Sequence, residues 1–176
     1  MRGDRVTLRP VEAGDHPLLQ AWQNDPEIAA WMDYPLPFSA RDIDEDQERT
    51  RREGHAFTIV HEGRPVGKCG LNHFRWRVRL CALYVYLGDR EVWGRGLGRE
   101  AVRLLLDLGF DELGMERIEL MALADNTRAL RLYRACGFEV EGVLRGRAYR
   151  AGRWHDMTVM SVRRDERAAP RKEPGA

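Results

Sequence analysis

Cysteine is scarce in this chain. Cys69, Cys81 and Cys136 show no metal-ligand spacing, and their odd number argues against a disulfide framework. The thiols are expected to be reduced and mostly buried, which fits a cytoplasmic protein. Histidines and carboxylates form no set with metal-binding spacing, so no metal is expected. Long apolar runs are missing as well. Nothing approaches the length of a membrane span, and Met1-Arg2-Gly3-Asp4 leads into a strand pattern, not a signal-peptide hydrophobic stretch. No membrane partner is expected. A broad basic excess is also lacking: the net charge of +1 argues against direct duplex nucleic-acid binding, which needs many phosphate contacts. Local arginine clusters still suit a phosphorylated ligand.

What is present fits one domain, taken as residues 1–162, with a charged tail at 163–176 expected to be disordered. Its 176 residues are 43% hydrophobic, enough for a real core. Alternation predicts strands at 5–9, 56–61, 65–74, 79–87, 118–122, 138–148 and 154–162. Helices are predicted near 15–22, 40–52, 99–110 and 127–136, with Ser39 and Asn126 as N-caps and Gly137 just past a C-terminus. Strands joined by short links in the first half predict an antiparallel meander. Strands joined by helices in the middle predict a parallel pairing.

The segment Trp93-Gly94-Arg95-Gly96-Leu97-Gly98-Arg99 carries the most chemistry. It connects a strand to a helix. Its glycines permit unusual backbone angles and close approach of a ligand to the main chain. Free N–H groups at the helix start favour an anion, and Arg95 and Arg99 add charge-assisted bonds. A Walker loop is excluded because no Gly-Lys-Ser or Gly-Lys-Thr follows. The dinucleotide fingerprint fails because its third glycine would stand where Arg99 is. A plain strand–helix connection that binds nothing is the alternative.

A second cluster follows another short strand: Asn126, Ala129, Tyr133, Gly137 and Phe138. Together with the glycine loop it resembles the GCN5-related N-acetyltransferase (GNAT) superfamily, over a matched core from Tyr86 to Phe138. Gly152 to Met157 also looks like the ribosomal-protein alanine and spermidine acetyltransferase branch. The resemblance implies an α/β (α+β) fold: a mixed, mostly antiparallel sheet of six to seven strands, with a splayed central parallel pair and about four flanking helices. It implies acetyl-CoA as co-substrate, and leaves a homodimer open. The donor would contact Tyr86, Leu87, Trp93, Gly94, Arg95, Gly96, Leu97, Gly98, Arg99, Asn126 and Arg134. The strand edge near Tyr84 to Leu87 would pair with the pantetheine amides, and its N–H groups would polarise the acetyl carbonyl.

The implied reaction is direct attack of an amine on a thioester. Tyr133 is the candidate acid, because the matching family tyrosine points at the CoA sulfur; a core tyrosine is the alternative. The base is harder to find. The resembled branch often carries a glutamate early in the strand before the loop, near Cys81 here, and no carboxylate occurs in Leu80 to Leu87. Glu119 is the candidate base on the neighbouring strand, with His73 behind it. A water relay ordered by Asn72, His73 or Tyr84 is the other route.

The acceptor is a small-molecule amine or a protein N-terminus. Asp33, Tyr34 and Tyr84 are candidate substrate-binding residues, in and opposite the aromatic stretch Trp31 to Phe38. Acidic residues from Asp42 to Glu48 suit a polyamine, a basic peptide N-terminus or an aminoglycoside, or else form a solvated helix face. Arg75, Arg77 and Arg79 are expected on one side of an alternating strand, pulling toward an anionic partner. A non-catalytic acyl-CoA-binding module remains the alternative from another class.

Overall fold

The computed structural model describes residues 1–32 and 37–167. Asp33 and Tyr34, and the tail beyond 167, lie outside the described residues. Seven strands form one sheet: β1 Val6–Pro10, β2 His55–His61, β3 Arg64–Arg75, β4 Leu80–Leu87, β5 Arg117–Leu123, β6 Glu139–Arg150 and β7 Arg153–Arg163. The order is β1-β2-β3-β4-β5-β7-β6. Every neighbouring pair is antiparallel except β4 and β5. The helices are α1 His16–Asn24, α2 Pro26–Ala29, α3 Ala40–Glu53, α4 Leu97–Asp107, α5 Thr127–Ala135 and α6 Arg164–Arg167.

The helices form where the sequence supplies their ends. Ser39 caps α3 by accepting from the Asp42 N–H, and Asp42 answers the Ser39 N–H. Asn126 caps α5 by accepting from Ala129 N–H at 3.1 Å. Gly137, at φ +96°, turns the chain out of α5. Helix α4 buries Leu97, Ala101, Val102, Leu105 and Leu106, a stripe at helical spacing. It packs on Cys69, Leu71, Cys81, Leu83 and Ile118 in the larger core. The opposite face carries a smaller core of Leu19, Trp22, Ile28 and Ile43 from α1 to α3. Trp22 lies so close to Gly88 that any Cβ there would stand 2.0 Å from its ring.

One expectation needs correction. Arg75, Arg77 and Arg79 do not share a strand face. Trp76–Val78 is a 3-10 turn, and Arg79 leaves it at φ +50°. The alternation was spurious because a bulge interrupts the β3–β4 register between Asn72 and Arg75. At the charged end β7 runs to Arg163, and Arg167 in α6 bonds the carboxylates of Asp107 and Asp111.

Strands β4 and β5 pair only at Leu80–Arg117, Cys81–Ile118 and Ala82–Glu119. Past these three pairs they have no further register partners in each other, while β5 continues along β7 to Leu123. The sheet is therefore split from one end, where the strand–helix loops gather.

Candidate active site

A cavity of about 840 Å³ opens at this split. Its donor-side wall contains Tyr86, Leu87, Trp93, Gly94, Gly96, Gly98, Arg99, Asn126 and Tyr133. Gly94 and Gly96 adopt φ +78° and +81°, conformations that a side chain would strain. Gly98 permits close packing of α4 on α5, since a Cβ there would stand 3.1 Å from Leu132 Cδ1. Trp93 fastens the loop to its strand: the indole N–H donates to the Leu87 carbonyl at 2.9 Å. The Arg128 guanidinium lies 4.0 Å from the Trp93 ring centre. The first turns of α4 and α5 thus meet one cavity with Arg99, Arg128 and Arg131 around them. Backbone N–H groups and cations together make this wall favourable to a phosphorylated ligand.

The side chains of three residues expected at the donor do not line the cavity. Leu97 is 1% exposed and belongs to the core. Arg95 does not line the cavity, and its carbonyl accepts from Arg5 at 2.7 Å. Arg134 also stands outside the lining, and Arg128 and Arg131 face the cavity in its place.

Tyr133 is buried at 7% exposure and lines the cavity. Its ring meets Phe138 edge-on at 5.8 Å. Burial pushes its hydroxyl up to about 12, so it holds its proton at neutral pH. Cys81 is fully buried, and desolvation, with the nearby negative charge of Glu119, pushes its thiol up to about 12. It is thereby unsuited to accept a proton as a thiolate. Glu119 stands at the last β4–β5 pair and does not line the cavity.

The other wall comes from α3, β3 and the β6–β7 hairpin. Tyr84 lies across β3 at Gly70, where an added Cβ would stand 2.6 Å from its hydroxyl. Asn72 and His73 line this side. Arg150 donates to the Ala30 carbonyl at 2.8 Å and ties the hairpin to the end of α2. Lys68, Asp46, Arg49 and Glu53 also line it; Asp46 belongs to the acidic stretch considered for the acceptor, while Lys68, Arg49 and Glu53 were not foreseen. They come from separate elements, α3 and β3, that only the fold joins.

The acetyltransferase (GNAT) domain family matches residues 5–139. The chain belongs to the GNAT acetyltransferase family. This acetyltransferase is 32% identical over 173 residues to the uncharacterized N-acetyltransferase p20 of Bacillus licheniformis, covering 94% of this chain and 96% of that protein. It is 26% identical to the spermidine N(1)-acetyltransferase of Escherichia coli (strain K12), with 97% and 92% covered. Its fold matches the crystal structure of spermidine N-acetyltransferase from Vibrio cholerae in complex with CoA and spermine. That match has a TM-score of 0.88 and 22% identity, over 95% of this chain and all of that one. Family and fold make this acetyltransferase an acetyl-CoA-dependent enzyme that transfers acetyl to an amine. Among its described residues no group of three or more His, Cys, Asp or Glu could hold a metal ion. None of its described helices is long and apolar enough to cross a membrane.

Proposed function

We propose that the enzyme acetylates the amine of a peptide or protein N-terminus. Acetyl-CoA supplies the acetyl group activated as a thioester. The glycine loop, the starts of α4 and α5, and Arg99, Arg128 and Arg131 hold the anionic end of this donor. Its extended arm fits the split between β4 and β5. Tyr133 is the proton donor. As the amine nitrogen bonds to the acetyl carbon and the C–S bond breaks, the sulfur takes the electron pair and then the Tyr133 proton. The surplus proton of the amine leaves through water along the Asn72–His73 wall, and Tyr133 takes a proton back from solvent as CoA departs. Neither Cys81 nor Glu119 serves as base in this scheme.

The choice of acceptor rests on the charge of its wall. Asp46 is opposed by Lys68 at 3.4 Å and by Arg49 at 2.5 Å. Glu53 is the other carboxylate among the described lining residues. This limited carboxylate among the described residues supports an acceptor with one positive charge over a polycation. The second reading is a polyamine, supported by the full-length likeness to spermidine N(1)-acetyltransferases and by the acidic α3. The test mixes purified enzyme and acetyl-CoA with N-terminally free peptides, spermidine, spermine and an aminoglycoside. Free CoA and acetylated product are measured together. Turnover on peptides supports the proposal; turnover confined to polyamines replaces it with the second reading. Tight acetyl-CoA binding without amine-dependent turnover would mark a binding module.

A further inference from the structure

The chemistry of Lys68 is unused by the reaction as derived. Its side chain is 4% exposed, yet it lines the cavity. It pairs in register with Tyr86, and its Nζ stands 5.8 Å from the Tyr84 ring centre. An ammonium group has three N–H donors. Among the described residues Nζ meets one acceptor, Asp46 Oδ2, at a long 3.4 Å. That carboxylate is shared with Arg49 and Gln47. Burial lowers the Lys68 pKa against the pull of Asp46. Buried polar groups are almost always satisfied by protein, water or ligand, so the remaining donors of a buried cation on the cavity wall are available to a bound oxygen acceptor.

Composition points the same way. Lys68 and Lys172 are the two lysines among 29 basic residues. Arginine fills the other basic positions, on the surface and around the donor wall. A compact ammonium with rotating donors suits a small oxygen target, whereas a guanidinium presents a wide planar fork.

We propose that Lys68 is a specificity-determining residue that donates to a carbonyl or carboxylate oxygen beside the acceptor amine. The acceptor is then an α-amino acyl compound, meaning a peptide N-terminus or a free amino acid. This rests on the acetyl-transfer reading above and deepens it. Asp46 holds the Lys68 ammonium at the cavity wall, leaving its other donors for that oxygen. A polyamine would offer Lys68 only another cation, which is unfavourable in a buried site.

The test compares acceptors that differ at this oxygen: the dipeptide Ala-Ala, free alanine, ethylamine and spermidine, each with the full chain at saturating acetyl-CoA. Ala-Ala or alanine is expected to exceed both ethylamine and spermidine in kcat/KM by about tenfold or more, the value of one hydrogen bond to a charged donor. The dipeptide and free alanine separate a peptide carbonyl from a carboxylate as the target. Lys68→Met is expected to erase the preference mainly through the acceptor KM, which a purely structural role would not single out. Equal or higher kcat/KM for ethylamine or spermidine overturns the inference and leaves acetyl transfer standing. That comparison uses the unaltered enzyme, so it holds even where the variant fails to fold. Tight acetyl-CoA binding without turnover on any amine overturns the acetyl-transfer reading and this inference with it.

Discussion

Replacing Tyr133 by Phe removes one oxygen from a buried ring. The hydroxyl has no hydrogen-bond partner among the described residues, and the ring keeps its contact with Phe138. Stability should therefore change by less than about 1 kcal/mol. For a chain of this length that is a melting shift of about 2–4 °C at most. Catalysis should suffer far more. A positioned proton donor contributes about 10²–10⁴-fold, or roughly 3–5 kcal/mol of barrier. The assay follows CoA release at saturating acetyl-CoA and acceptor, with donor affinity measured by calorimetry. The expected result is a large fall in kcat with acetyl-CoA affinity nearly unchanged. The raised pKa adds a second readout. Because the folded value is about 12 and the ordinary one 10, this residue's contribution to stability is complete below pH 10 and is lost as pH rises through 12. Tyr133→Phe should lack that alkaline loss. A kcat within about twofold of the parent would refute the proton-donor role, since far more than twofold is asked of it.

Gly96→Val places a β-branched residue at φ +81° in the loop; acetyl-CoA affinity should fall, and stability by about 1–3 kcal/mol, as calorimetry and thermal melts would show. Asp15 accepts from both Arg9 terminal nitrogens at 2.7 Å and from Thr58 at 2.8 Å. The Arg9 bonds hold its carboxyl at about 2, so its stabilisation is present above the ordinary carboxylate value and lost as pH falls through 2. Asp15→Asn should cost on the order of 2 kcal/mol at pH 7, and denaturant titration should show the difference from the parent shrinking toward pH 2. Cys81→Ala should leave the pH dependence of kcat in place while lowering the melting temperature, because the thiol fills space and does not take a proton. A lost basic limb in its pH–rate profile would return Cys81 to the chemistry.

Much of the donor side was legible because its signals are local. A glycine loop between strand and helix, an asparagine cap and a tyrosine about two turns farther along all lie within about fifty residues. The parallel β4–β5 pair was foreseen from the helix between them. The acceptor side was opaque for the opposite reason. Lys68 and Asp46 meet only after α3 has folded onto β3, and a lone lysine between glycines gives no hint of a buried wall. Strand alternation also misled where a bulge reset it, as at Arg75 to Arg79. Glu119 was rightly placed in a strand beside β4, but periodicity alone does not tell how far along a split it stands.

The three residue pairs that join β4 to β5 have a mechanical meaning. They are the fulcrum of two half-sheets, one carrying Lys68 and Tyr84, the other leading into the helix of Tyr133. The angle between these jaws sets how far the acceptor wall stands from the proton donor. Substitution of Ala82, which does not line the cavity, is expected to lower kcat with acetyl-CoA affinity little changed, as steady-state kinetics and calorimetry would show. The joint that aligns the two walls therefore lies outside the cavity it serves.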